Sequence, residues 1–130
     1  MRAPLLIRYP PLIQENIRIK EFVLSIDYAP TMLALAGAPI KSHIQGQSNI
    51  PLLTGKVENG RKVFMVEYYS YENPMPWLID TDYKALRTGK YKYIHYYKHE
   101  GKDEFYNLIE DPYEISNLAA RDEMRMVVKS

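Results

Sequence analysis

Tyr83-Lys84-Ala85-Leu86-Arg87-Thr88-Gly89-Lys90-Tyr91-Lys92-Tyr93-Ile94-His95-Tyr96-Tyr97 is the stretch that decides the fold of this chain. Two extended runs, 83–88 and 91–97, flank the pair Gly89-Lys90. A two-residue loop with glycine first suits a type II′ turn, whose twist matches that of the strands beside it. In the second run Tyr91, Tyr93, His95 and Tyr97 fall on one face and Lys92, Ile94 and Tyr96 on the other. That period of two marks a strand with two different faces. The stretch therefore predicts an antiparallel hairpin.

Working outward, Lys62–Tyr69 is rich in β-branched and aromatic residues, which fit a pleated, half-buried surface. Asp103–Leu108 predicts a fourth short strand, Asp111-Pro112 a turn, and Leu118–Lys129 a terminal helix. Residues 62–130 thus read as a four-stranded antiparallel sheet with a packed C-terminal helix. The N-terminal half is different. Ala3–Tyr9 is nearly continuous in apolar residues and is closed by Pro10-Pro11, the pattern of a strand buried on both faces. Glu21–Ile26 predicts a second short extended piece. Asp27-Tyr28-Ala29-Pro30-Thr31 opens a helix that Gly37 and Pro39 stop, with Asp27 placed to accept from the first free N–H groups and Pro30 tolerated in the first turn. Lys41–Asn59 reads as a loop with turn points at Gly46 and Gly55, and residues 59–61 as a joint. The expected organisation is a strand-helix-loop segment over 1–60 and an antiparallel subdomain over 61–130, giving an α+β class. The distribution of 12 Tyr, mostly after residue 67, and 9 Pro, mostly before residue 77, supports that division.

At 130 residues the chain is about one domain long, large enough for a modest core but small for a complete hydrolase. A net charge of +1 argues against a nucleic-acid partner held by electrostatics. Zero cysteines exclude disulfides, thiolate metal sites and a cysteine nucleophile. No apolar run approaches the roughly 18 residues that would span a membrane. Arg8, Pro10 and Pro11 interrupt the short apolar stretch near the N-terminus, so it does not read as a secretory signal.

Five motifs then point the same way. Arg2-Ala3-Pro4-Leu5-Leu6-Ile7-Arg8-Tyr9-Pro10 resembles the last strand of the sulfatase catalytic domain. Ser25-Ile26-Asp27-Tyr28-Ala29-Pro30-Thr31-Met32-Leu33 through Ala36-Gly37 resembles a V/I-D-x-x-P-T-L segment, and Gln45-Gly46-Gln47-Ser48 with Pro51-Leu52-Leu53 a Q-G-x-S…P-L-L segment. Ala85 to Ile94 resembles an x-x-R-T-x-x-Y-K-Y-I hairpin. Phe105-Tyr106-Asn107-Leu108-Ile109-Glu110-Asp111-Pro112-Tyr113-Glu114 with Asn117-Leu118 resembles L-Y-D-L-x-x-D-P-x-E-x-x-N-L. Together, in order and at similar spacing, they resemble the C-terminal part of sulfatases of the alkaline-phosphatase-like superfamily.

The resemblance implies a parent sulfuric ester hydrolase, with sulfated carbohydrate as its substrate and periplasmic or secreted placement. It also implies calcium and a formylglycine in the full-length enzyme. No serine here, Ser25 and Ser42 included, opens the S-x-P-x-R motif that formylglycine formation needs, so no catalytic residue and no metal ligand is assigned and the chain alone is expected to be inactive. The alternatives are a related phosphate or phosphonate monoester hydrolase and a non-catalytic module that binds a glycan or a protein. The implied partner is the rest of the catalytic domain. Segment 1–60, left without it, is expected to pair with a second copy, giving a homodimer of the fragment, or to lie on the chain's own sheet.

Candidate contacts are sought in loops carried by the sheet. Tyr71-Glu72-Asn73-Pro74-Met75-Pro76-Trp77 is stiffened by two prolines and holds the only tryptophan. Glu72, Trp77 and Asp80 are the residues expected to contact substrate in the intact enzyme. Lys84, Arg87, Lys90 and Lys92, interleaved with Tyr91 and Tyr93, read more readily as a solvated hairpin face than as a polyanion site. His95 and His99, four apart on or near a strand, are not expected to share an ion, and His43 reads as a loop residue. Asp111, Glu114 and Asn117 read as turn and cap residues.

Overall fold

A computed structural model of the chain describes residues 3–56, 60–70 and 80–121. It forms two compact units, Met1–Arg61 and Lys62–Ser130.

The second unit is an antiparallel sheet of β1 (Val63–Tyr68), β2 (Tyr83–Thr88), β3 (Tyr91–Tyr96) and β4 (Glu104–Asn107), in sequential order. Its register sets Val66 against Ala85, Ala85 against Ile94, and Ile94 against Glu104. Ala85 and Ile94 are buried at the centre of this row, and Phe105 is buried on the opposite face against the Tyr91 ring. The alternation in β3 thus sorts its residues onto two faces. The turn differs from the expected type: Gly89 has no positive φ. Instead the Thr88 hydroxyl accepts from the amides of Lys90 (3.2 Å) and Tyr91 (2.8 Å), so a side chain closes the turn without a left-handed residue.

After β4 the chain returns along the sheet edge. Asn117 Oδ1 accepts from the Phe105 amide at 3.1 Å, its Nδ2 donates to Asp103 O at 3.0 Å, and the Leu118 amide donates to Phe105 O at 2.8 Å. Asp111 accepts from the Ser116 amide at 2.7 Å, which makes it a turn residue. Glu114 instead receives Lys92, so it ties the loop to the sheet rather than capping a backbone group. The terminal helix expected over 118–129 does not begin within 118–121, where Ala119 and Ala120 form a turn; its remainder lies outside the described residues.

In the first unit a 3-10 turn, Ser25–Asp27, leads into helix α1 (Tyr28–Leu35), and Gly37 follows with φ 67°, the left-handed conformation that stops a helix. The loop expected over 41–59 contains a short helix, α2 (Ile50–Leu53), which Pro51 helps to start. Of the piece 21–26, only Phe22 pairs, in a single bridge to Arg61. The strand expected over 3–9 is not formed: these residues run without a ladder partner, and Leu6 is 95% exposed. Sheet structure needs a neighbour to take the backbone groups, and among the described residues none is supplied. No described helix is long and apolar enough to cross a membrane.

Candidate functional site

Two constellations stand out, one in each unit. In the first unit the Asp27 carboxylate is fully buried. Its Oδ2 accepts from the Leu24 amide at 2.9 Å, and its Oδ1 from the Gln47 amide at 3.0 Å and Arg61 Nη2 at 2.8 Å. The sequence reading gave Asp27 the role of helix cap, but its side chain makes no capping bond to the helix. The reason is geometric. The residue already has helical φ and ψ, so its carboxylate turns back to the amide of Leu24, three residues before it, and across to two segments distant in sequence, at Gln47 and Arg61. Thr31 Oγ1 donates to Asp27 O at 2.6 Å and accepts from the Asn49 amide at 2.9 Å, so a second side chain fastens α1 to the start of α2. Gly46 stands at a bend and lies where a Cβ would come within 1.9 Å of Ile26 O, so the expected turn point is also a point of close approach.

This buried knot leaves some groups unmatched. Asn49 is only 2% exposed, yet among the described residues neither its Nδ2 nor its Oδ1 has a partner, and Arg61 Nε is likewise unmatched. Asn49 lines a cavity of about 830 Å³ together with Tyr28, Leu53 and residues of segment 3–19. Neither Asn49 nor Arg61 was singled out by sequence reasoning. Their spacing carries no signal: Arg61 acts through Asp27, 34 residues away, and Asn49 is held by its backbone amide on Thr31.

In the second unit the residues on either side of segment 71–79 are pinned together. The Ser70 amide and hydroxyl both donate to Asp82 Oδ1 at 2.6 Å, and the Tyr97 amide donates to Asp82 O at 3.0 Å. Lys98 Nζ reaches Asp80 Oδ1 at 2.7 Å and Asp82 Oδ2 at 3.6 Å. The Ser70 hydrogen bonds hold the Asp82 carboxyl below its ordinary pKa of 3.8, with Lys98 assisting. Of the three sequence candidates, Asp80 sits beside this pair with φ 66° and is paired to Lys98, whereas Glu72 and Trp77 lie outside the described residues.

The sign of the Asp82 shift predicts a pH effect. A carboxyl whose folded pKa is depressed contributes stability that is present above its unfolded value and is lost as pH falls through the folded one. Asp82 should therefore titrate below 3.8 by carboxyl NMR. Clipping within segment 71–79 by an acid-active protease should rise over that same range. In Asp82→Asn the clipping should no longer vary with pH; if wild type and variant respond alike, a group other than Asp82 controls it.

The basic stretch divides between the two faces. Lys84 pairs with Glu67 at 2.9 Å on one face, while Arg87 and Lys92 share Glu114 on the other, at 3.8 and 2.5 Å. Lys90 lies over the Tyr91 ring, 4.9 Å from its centroid. Three of the four cations have a carboxylate partner, so they form no single anion-binding strip. His95 Nδ1 lies 3.0 Å from Asp103 Oδ1, and His99 stands edge-on to Tyr96. Glu104 accepts from the hydroxyls of Tyr96 (2.8 Å) and Tyr106 (2.7 Å); burial and this carboxylate push both phenols up to about 12, so they remain donors. Among the described residues, no group of three or more His, Cys, Asp or Glu comes together as a metal site.

Comparison with known proteins agrees with this architecture. Residues 1–130 match the family described as N-sulphoglucosamine sulphohydrolase, C-terminal. The chain is 35% identical over 125 residues to an N-acetylglucosamine-6-O-sulfatase of Bacteroides thetaiotaomicron, covering 94% of this chain and 22% of that protein. It is similar to the solved structure of BT4656 with its substrate D-glucosamine-2-N,6-O-disulfate, with TM-score 0.81, 30% identity, and coverage of 94% of this chain and 25% of that one. It also shares its fold with the phosphonate monoester hydrolase of Agrobacterium radiobacter, with TM-score 0.69 and 22% identity, over 84% of this chain and 23% of that one. The chain belongs to the sulfatase C-terminal family, and it spans about a quarter or less of the relatives it matches.

Proposed function

We propose that this chain is the C-terminal part of a sulfuric ester hydrolase acting on sulfated carbohydrate. In this reading 1–60 completes the catalytic α/β domain and 61–130 is a C-terminal subdomain forming one wall of the cleft. The observation that carries it is the family match over residues 1–130, joined by the fold shared with a protein whose substrate is a sulfated glucosamine. In this reading the calcium and formylglycine of the whole enzyme are held by the portion outside this chain. Among the described residues no His, Asp and Glu side chains converge as the several oxygens of a calcium site would. On its own the chain is inactive. It self-associates through the exposed apolar side chains of segment 3–19, Leu5, Leu6 and Leu12 among them.

Within the intact enzyme, Glu72, Trp77 and Asp80 contact the sugar. The hydrogen bonds that join Ser70 to Asp82, on either side of segment 71–79, support this role. The test joins this chain to the portion of the B. thetaiotaomicron sulfatase outside the matched region. The chain alone should turn over neither 4-methylumbelliferyl sulfate nor glucosamine 6-sulfate, and the joined protein both. Trp77→Ala should raise KM for the sulfated sugar on the order of tenfold, the loss of about one stacking contact, and leave the aryl sulfate unaffected. Turnover by the chain alone would defeat the proposal, and a joined protein that cleaves only phosphonate monoesters would assign it to the other branch of the superfamily.

A further inference from the structure

The second unit carries an open pocket of about 380 Å³ where β3 hands over to β4. That lies toward the small end of ligand sites, about 300–1,000 Å³, and suits a single ring-sized group. Tyr96, Glu104 and Tyr106, half-buried or buried on one face of the sheet, form its floor, and the exposed His99 and Lys102 form its rim. The floor presents acceptors. Glu104 Oε1 accepts from the Tyr96 hydroxyl at 2.8 Å and Oε2 from the Tyr106 hydroxyl at 2.7 Å, so both phenol protons are already committed. Each carboxylate oxygen and each phenol oxygen keeps a free lone pair. A ligand resting on this floor must therefore bring donors, as a ring of hydroxyl groups does. The rim is the reverse, since the Lys102 ammonium only donates. These two charges line one pocket without bridging it. Among the described residues Glu104 has no cationic partner and Lys102 no carboxylate partner, although Lys84, Lys92 and Lys98, on or beside the same sheet, each have one. An unpaired surface lysine alone would say nothing; here it shares a pocket with a carboxylate that also lacks a counter-ion.

We propose that this pocket binds one sugar unit bearing an anionic group, its hydroxyls donating to Glu104 and to the Tyr96 and Tyr106 oxygens and its anion accepting from Lys102. The choice of sulfate as that anion rests on the sulfatase reading above. The rings of Tyr96 and His99, edge to face with centroids 6.3 Å apart, give the C–H groups of the sugar an apolar wall. Tyr96 pairs with Tyr83, and Tyr83 with Tyr68, so the pocket lies at the end of the sheet from which segment 71–79 departs and near which Asp80 stands.

Amide NMR titration of the chain tests this with three sugars. N-acetylglucosamine 6-sulfate should shift the amides of Lys102 and Tyr106 and bind roughly tenfold tighter than N-acetylglucosamine, the gain from one charge-assisted hydrogen bond. In Lys102→Gln that preference should vanish, with both sugars bound alike. Glu104→Gln should instead weaken both sugars together; where that variant fails to fold, the Lys102 comparison decides alone. Lys90→Gln removes the same charge at the turn between β2 and β3, far along the sheet, and should change neither affinity. Equal binding of the two sugars by wild type, or a loss in Lys90→Gln as large as in Lys102→Gln, would reduce the effect to diffuse attraction and overturn the proposal. At about pH 5, where a phosphate ester is mostly singly charged as a sulfate ester is, tighter binding of N-acetylglucosamine 6-phosphate would overturn the choice of sulfate. The sulfatase reading is judged separately, by turnover in the joined protein. Turnover with no shift at Lys102 sinks the pocket alone, and shifts without turnover sink that reading alone.

Discussion

Asp27→Ala should cost the first unit about 3–5 kcal/mol, the range for breaking a buried ion pair from one side. The substitution strands the amides of Leu24 and Gln47 and leaves the Arg61 guanidinium without its carboxylate. Against a total stability of roughly 5–15 kcal/mol for a domain, a loss of that size unfolds the unit or nearly so. Asp27→Asn should rescue little. Both carboxylate oxygens accept from N–H groups, and an amide can present only one acceptor oxygen. Amide hydrogen exchange reads the result directly: Leu24 and Gln47 should exchange in the variants at the rate of unstructured chain, while the amides that pair β2 with β3 keep their protection. Preserved protection at Leu24 in Asp27→Ala would show that the knot does not hold this segment.

Gly46→Ala is expected to be nearly as damaging, though it removes no hydrogen-bonding group. A Cβ there would stand 1.9 Å from Ile26 O and 2.5 Å from its carbonyl carbon, so backbone itself would have to move. Overpacking costs about 1–3 kcal/mol where side chains can yield, and here they cannot, so the loss should lie at the top of that range or above it. The displacement would also draw the neighbouring Gln47 amide away from Asp27, so the two substitutions share one injury. In a double-variant cycle Gly46→Ala and Asp27→Ala should therefore sum to much less than their separate effects. Additive losses in urea unfolding would show that the loop and the carboxylate act independently.

These residues also show what a sequence can disclose. The hairpin of β2 and β3 was legible because the alternation in Tyr91–Tyr97 and the pair Gly89-Lys90 are local signals, and the helix at Tyr28–Leu35 because Pro30 and Gly37 mark its ends. The turn type was misjudged where a side chain, Thr88, did the work that glycine was expected to do. The strand over 3–9 was misjudged because its apolar pattern describes a setting, a sheet on both sides, that the described residues do not provide. Asp27 was placed correctly at a helix start and given the wrong partners. A carboxylate that joins Leu24, Gln47 and Arg61 depends on contacts up to 34 residues away, and no spacing rule reports those. The substrate candidates rested on loop composition; of them, only Asp80 falls where its surroundings can be described.

The way the chain closes the outer side of β4 bears on how this protein fails. Asn117 and Leu118 take up the amide and carbonyl of Phe105 and the carbonyl of Asp103, groups that would otherwise recruit another chain. Fibril growth needs a strand that accepts a copy on each side, and a sheet blocked along one margin can add at most one partner before it stops. Association through this sheet therefore ends in small, terminated assemblies, unless the return segment at Asn117 peels away first.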